Sequence, residues 1–253
     1  MMLTTEEVLM ELQAGEPLSL VRIGDGEGIV LNSMSGIQEL DLANQAVLHR
    51  QMGYYPVYND IKAIRNNLIT TYAEADIIGI PAHKQKTSSH WGSVTKILDE
   101  NVPFKKTDKF CSIDVHYDFL NAGYYDLLIK GMETLNYISC RNLDYKFIYR
   151  WHLKQCNSFI TAPESKFTSG YKGPVHYPDQ FNKIYRWMDV CCPEGKLLLV
   201  GAGVIGKIYC NWWRDRGGVA FDIGSVFDEW AGFETRGKGR GLDKINDDLT
   251  FKL

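Results

Sequence analysis

Two carboxylates on a glycine backbone mark the first place in this sequence where chemistry could be done. Residues 21–28 read VRIGDGEG: an apolar run from Leu18 to Ile23 stops at Gly24 and gives way to Asp25 and Glu27, each flanked by glycine. On an extended backbone, side chains two apart share a side, and Gly24, Gly26 and Gly28 let the chain bend around an ion. Asp25 and Glu27 therefore read as a seat for a hard divalent cation, Mn²⁺ or Mg²⁺. A solvated turn is the alternative that Gly-Asp-Gly also favours. Arg22, just before them, would reach a phosphate or hold the carboxylates in place.

A second cluster lies far along the chain. Residues 196–206 read KLLLVGAGVIG, in which Gly201, Gly203 and Gly206 follow an apolar run and open a helical pattern. This is the form of the dinucleotide fingerprint, and Asp222, closing the next apolar run, stands where such a domain keeps its ribose-binding acid. Too little chain follows Asp222 for the further strand–helix units that a dinucleotide domain needs, and the same shortage weakens an S-adenosylmethionine reading. What survives is the backbone chemistry. Amides of a glycine turn at the positive end of a helix suit a diphosphate, and Lys207 would reach the same group. Tight strand–helix packing is the other use of such glycines.

Other candidates come with plainer alternatives. Asp114 and His116 in SIDVHYDF end a predicted strand and could supply a base or bind sugar hydroxyls; Asp114 equally suits a helix N-cap. Glu164 follows another predicted strand and suits a ribose or sugar contact, or a plain surface carboxylate. His176 and Tyr177 could flank an aromatic ring by stacking, although an aromatic pair before proline also serves packing. Asp222 could touch a ribose or another sugar.

The elements that would carry these residues are legible as short apolar runs alternating with amphipathic ones. Strands are predicted over 18–23, 76–81, 110–113, 135–139, 157–161, 196–200 and 219–223. Helices are predicted over 4–14, 37–51, 59–73, 91–99, 116–130, 143–154, 179–190 and 203–216. Strands spaced by helices predict a Rossmann-like α/β domain, its mainly parallel sheet covered on both faces. In such a sheet, ligands collect at the carboxyl ends of the strands, so both glycine clusters would open on one edge. The domain is expected over 1–235. A polar tail over 236–253 follows, carrying the tail's Lys238 and Arg240 behind Arg236.

Composition narrows the class. The chain has 253 residues, 45% hydrophobic and 23% charged, which suits a globular core. A net charge of -3 argues against a nucleic-acid partner. No apolar stretch is long enough to span a bilayer. The N-terminus reads as an amphipathic helix with Thr4 and Glu7 at capping-box spacing rather than a leader. A cytoplasmic location follows as the expectation, with peripheral membrane contact left open. Six cysteines without a CxxC pair suit reduced thiols.

LVRIGDGE resembles the N-terminal signature of the GT-D-type glycosyltransferases, in which an Asp-x-Glu motif holds a divalent metal with a nucleotide sugar. IIGIP at 77–81, APES at 162–165, VHYPDQFNKI at 175–184 and LLLVGAGVIGKIYCNWWRDRGGVAFDIGS at 197–225 are similar to family segments in the same order. Where members carry Gly-Pro-Thr-Ala, this chain has Gly201-Ala202-Gly203-Val204, and it has less arginine near its middle. The resemblance implies a metal-dependent hexosyltransferase acting on a UDP-sugar. The acceptor would be a hydroxyl of a glycan, glycoprotein or lipid-linked intermediate, as in polysaccharide biosynthesis. It implies a metal at Asp25 and Glu27 and a UDP diphosphate at Gly201, Gly203 and Gly206. Two rivals stand beside it: an NAD(P)- or S-adenosylmethionine-dependent enzyme using GAGVIG, and a non-catalytic nucleotide-sugar-binding module.

Overall fold

In the computed structural model, which describes residues 1–32, 48–49, 52, 58–81, 100, 102–103, 108–163 and 172–233 without the side chains of Asp25, Asn32 and Tyr58, apolar runs become strands wherever both faces of a sheet are covered. The strands are β1 (Leu18–Arg22), β2 (Ile77–Ile80), β3 (Lys109–Ser112), β4 (Thr134–Ser139), β5 (Gln155–Ile160), β6 (Leu197–Gly201) and β7 (Val219–Asp222). They form one seven-stranded sheet in the order β3-β2-β1-β7-β6-β4-β5. Every pairing is parallel. All seven predicted strands are present, within about two residues at their ends, as boundary uncertainty allows.

Side chains alternate between two cores, one on each face. Along β6, Leu197 and Leu199 join one core while Leu198 and Val200 join the other. The first core takes α1 (Thr5–Gln13), α4 (Val115–Ala122), α5 (Tyr124–Ile129), α6 (Asp144–Trp151) and α9 (Val226–Ala231). The second takes α2 (Asp25–Asn32), α3 (Tyr58–Glu74), α7 (Phe181–Cys191) and α8 (Gly206–Arg214). The N-terminus closes one sheet edge: Leu3 N–H donates to Phe110 O and Phe110 N–H donates to Met1 O, each at 2.7 Å. The predicted capping box of α1 is formed, with Thr4 Oγ1 accepting from Glu7 N–H and Glu7 Oε2 accepting from Thr4 N–H.

The helices depart from expectation in four places. The acidic glycine stretch is not an extended loop: α2 begins at Asp25. Glu27 reaches back to accept a hydrogen bond from Gly24 N–H at 2.8 Å, the return half of a capping box. The extended backbone that would place residues 25 and 27 on a shared side is therefore not what the chain forms there. The predicted helix 116–130 is two helices, broken at Gly123, whose φ of 71° ends the first. The predicted helix 203–216 starts with a tight 3₁₀ turn, Gly203–Ile205, before α8. The short helix α9 was not expected; five of its six residues are buried, so it lacks the polar face that makes a helix legible. The predicted helix 91–99, nearly all of 37–51, and the tail over 236–253 lie outside the described residues.

Candidate functional site

The topology makes a crevice between β1 and β7. From β1 the chain turns to one face into α2, whose Val30 and Leu31 join the second core; from β7 it turns to the other into α9, whose Val226, Phe227 and Trp230 join the first. Neighbouring strands whose exits diverge leave a gap at their carboxyl ends, the usual ligand position in open α/β sheets. Both glycine clusters do open there, since β6, ending at Gly201, pairs with β7.

Four charged side chains fill the floor of this gap. Lys207, from the first turn of α8, places Nζ 2.6 Å from Glu27 Oε1 and 3.3 Å from Asp222 Oδ2, and donates to Gly203 O at 3.1 Å. Arg22, the last residue of β1, donates from Nε to Asp222 O at 2.8 Å and lies 3.4 Å from Asp222 Oδ2. Its Nη1 donates to Ile113 O at 3.2 Å and sits 2.9 Å from each ring nitrogen of His116. The group is nearly sealed: side-chain exposure is 1% for Asp222, 4% for Glu27, 7% for Lys207 and 12% for Arg22. Two cations face two anions, so the buried charges cancel, a condition for keeping them ionised away from water. Burial opposes the charge on Lys207, but Asp222 and Glu27 outweigh it and hold the ammonium above its ordinary range.

The surrounding residues fix this geometry. Tyr72 from α3 donates its hydroxyl to Arg22 O at 3.3 Å. Its pKa is raised well above the usual phenol value, first by burial and then by Glu27 and Asp222. Three glycines leave room for the charged side chains. A Cβ at Gly24 would stand 2.5 Å from Glu27 Oε2, one at Gly79 2.7 Å from Arg22 Cγ, and one at Gly224 2.4 Å from Arg22 Nη2. Gly224 also has a φ of 51°, a conformation that a side chain would strain. Nη2 of Arg22 makes no hydrogen bond to a described residue and remains a donor.

Several sequence candidates take other work here. Gly201 makes room for Phe227, whose ring carbon would be 2.3 Å from a Cβ there; Gly206 makes room for Val200 and Ala202. Gly203, at φ 59°, shapes the turn. Lys207 faces the carboxylates and the Gly203 carbonyl. Asp222 gives its carboxylate to Lys207 and Arg22 and is 1% exposed, a position closed to a ribose. His116 is buried beside Arg22, and an arginine donor needs a ring nitrogen that carries a lone pair. Asp114 stands at the N-cap of α4 but makes no side-chain cap bond. His176 is buried in the second core side, its Nε2 3.0 Å from Tyr209 OH, and burial pushes its pKa down to about 4. Tyr177 packs edge-on against Phe181, ring centroids 5.2 Å apart. His176 and Tyr177 thus serve packing. The Asp25 side chain, Glu164 and the basic run of the tail lie outside the described residues.

Sequence reasoning missed Tyr72, Gly79, Gly224 and Phe227. Of these only Gly224 carried a local signal, a glycine directly after the strand end Asp222-Ile223.

A divalent ion at Asp25 and Glu27 is the expectation; the Asp25 side chain lies outside the described residues, and both Glu27 oxygens already have partners. Oε1 faces the Lys207 ammonium and Oε2 accepts from Gly24 N–H. Among the described residues no group of three or more His, Cys, Asp or Glu is placed to hold a metal ion. No helix among the described residues is long and apolar enough to cross a membrane. All six cysteines are free thiols.

No curated protein matches the sequence. Solved structures do match the fold. One described as a new glycosyltransferase (DUF1792) from Streptococcus sanguinis is 13% identical, with a TM-score of 0.59 over 94% of this chain and 87% of that one. A selenomethionine-substituted structure of domain of unknown function 1792 gives 13% identity and a TM-score of 0.59 over 100% of this chain and 90% of that one. A third, of the same domain and described as having a distinct glycosyltransferase fold, gives 13% and 0.55 over the same shares, 100% and 90%. A model of the GT-D fold-like domain matches residues 3–135, from α1 through β1, β2 and β3 to the start of β4. With over half of its length so matched and its sheet and glycine turns arranged as described, the chain belongs to the GT-D-like family.

Proposed function

We propose that the protein is a glycosyltransferase that moves a hexose from a UDP-sugar to a hydroxyl of a glycan, glycoprotein or lipid-linked acceptor. The observation that carries this reading is the meeting of the two glycine turns in one crevice, where Glu27 after β1 and Lys207 after β6 are 2.6 Å apart. Membership of the GT-D-like family and neighbours described as glycosyltransferases support it. In the reaction the acceptor oxygen bonds to the anomeric carbon, and the bond from that carbon to the β-phosphate oxygen breaks with its electron pair leaving on UDP. The acceptor proton passes to water.

The residues at the crevice suit the leaving group. Nη2 of Arg22 is a donor held rigid by three other contacts of the same guanidinium. The α8 N-terminus and the Gly203 turn add positive backbone potential. Preorganised donors of this kind stabilise charge as it develops without reorganising. The proposal leaves out a metal step, because Glu27 is engaged with Lys207.

The dinucleotide and S-adenosylmethionine readings are weaker on the same geometry. Two of the three fingerprint glycines are filled by core side chains, and the ribose acid is buried in ion pairs. The test is a thermal-shift panel of UDP-glucose, UDP-galactose, UDP-N-acetylglucosamine, NAD and S-adenosylmethionine, each with and without Mn²⁺. Stabilisation by a UDP-sugar is expected, and stabilisation by NAD instead would end the proposal. Release of UDP with an acceptor, followed by mass spectrometry, separates an enzyme from a binding module.

A further inference from the structure

Lys207 carries three donor protons, and three oxygens surround its Nζ: Glu27 Oε1 at 2.6 Å, Gly203 O at 3.1 Å and Asp222 Oδ2 at 3.3 Å. The third of these is unusual. Asp222 Oδ2 is fully buried and makes no hydrogen bond to a described residue, although Lys207 Nζ and Arg22 Nε lie 3.3 and 3.4 Å from it. It is near enough to feel both charges and aligned with neither. A buried carboxylate oxygen that faces a cation without a directed bond behaves as one wall of an ion seat, and Glu27 Oε1 is the other wall. The lysine opposes a second occupant. A divalent ion bound to Glu27 Oε1 at about 2.1 Å would sit against the ammonium already on that oxygen, like charge against like.

We infer that Glu27 and Asp222 form a two-carboxylate cation seat whose resident cation is Lys207, and that Glu27 is the lysine's counter-ion rather than a metal ligand. The seat brings together a residue of the Asp-x-Glu stretch and one that closes β7, nearly the whole chain apart. It rests on distances and burial alone and stands or falls independently of transferase activity. Its ligand class is a small hard cation, with the lysine tethered in that role. A divalent ion takes the seat only when the lysine is removed.

The experiment measures Mn²⁺ binding by electron paramagnetic resonance on the full chain without donor or acceptor. The variants are Glu27→Gln, Lys207→Met and Lys207→Met with Asp222→Asn, each checked for folding by circular dichroism. Glu27→Gln should keep the wild-type Mn²⁺ affinity within about twofold, because Lys207 already excludes the ion from residue 27. Lys207→Met should gain affinity by about tenfold or more, because two buried carboxylates then face one gap. Asp222→Asn in that background should remove the gain. A folded Glu27→Gln protein that loses about tenfold in Mn²⁺ affinity would show Glu27 to be a ligand and overturn the inference. So would a folded Lys207→Met protein with unchanged affinity. Should Lys207→Met not fold, the Glu27→Gln measurement decides alone, since that variant retains the Lys207–Asp222 pair.

Discussion

Gly201 separates a packing role from a ligand-binding one, because the structure says what an alanine there would hit. Its Cβ would stand 2.3 Å from Phe227 Cδ2, 3.0 Å from Cε2 and 2.7 Å from Gly224 O. Carbon atoms in contact sit about 3.5–4.0 Å apart, so the methyl group overlaps the ring by more than about 1 Å. The ring has little room to move: it is 1% exposed, with its centroid 5.5 Å from that of Tyr137 and 5.7 Å from that of Trp230. The carbonyl is fixed as well, because Gly224 N–H is bonded to Val200 O at 3.1 Å. Over-packing a fixed core costs about 1–3 kcal/mol, and two immovable neighbours place Gly201→Ala in the upper part of that range. For a chain of this size, about 2–3 kcal/mol lowers Tm by about 4–12 °C. Urea unfolding followed by circular dichroism measures it. Phe227→Leu trims the ring, so the alanine should cost less in that background, with a coupling of about 1 kcal/mol in the double-mutant cycle. A Gly201→Ala protein as stable as wild type within about 0.5 kcal/mol, but unable to bind a UDP-sugar, would refute the packing account.

Three further outcomes test other parts of the structure. His176 ordinarily titrates at 6.5 and is held at about 4 by burial, so between these values the unfolded chain takes up a proton that the folded one refuses. Stability is then intact above pH 6.5 and falls as pH drops toward 4, by about 3 kcal/mol from this residue; urea midpoints for His176→Gln should show a flatter acid limb than wild type. Arg22→Lys keeps the charge but loses the fork that joins Asp222 O, Ile113 O and His116, and should weaken UDP-sugar binding by about tenfold in calorimetry. His116→Asn retains a polar partner for Arg22 and should keep most of the transfer rate, whereas loss of a general base costs about 100-fold or more.

The sheet was legible because a parallel strand covered on both faces must be apolar along its whole length, as LSLVRI and KLLLV are. The site was legible only in its location. GDGEG reads as a bent loop around an ion, yet the same letters also spell a helix start, with an acid three residues after Gly24 and the apolar run Ile29-Val30-Leu31 beyond it. Local sequence does not choose between these, because what Glu27 faces is set by Lys207, far along the chain. The glycines of GAGVIG pose the same problem. Two of them answer to core side chains, one to Phe227 on a helix so buried that its pattern carried no period. His116 does stand at the predicted sheet edge, with Arg22 as its neighbour there.

The order of strands explains why so much hung on contacts that spacing alone could not show. Placing β7 beside β1 sets Asp222 against Arg22, and α8 then delivers Lys207 between Asp222 and Glu27. Each residue alone is a buried charge, costly unless paired; together they cancel. An Asp-x-Glu motif therefore has no fixed chemistry of its own. What its glutamate faces is decided by the strand and helix packed against it, and here that helix brings Lys207.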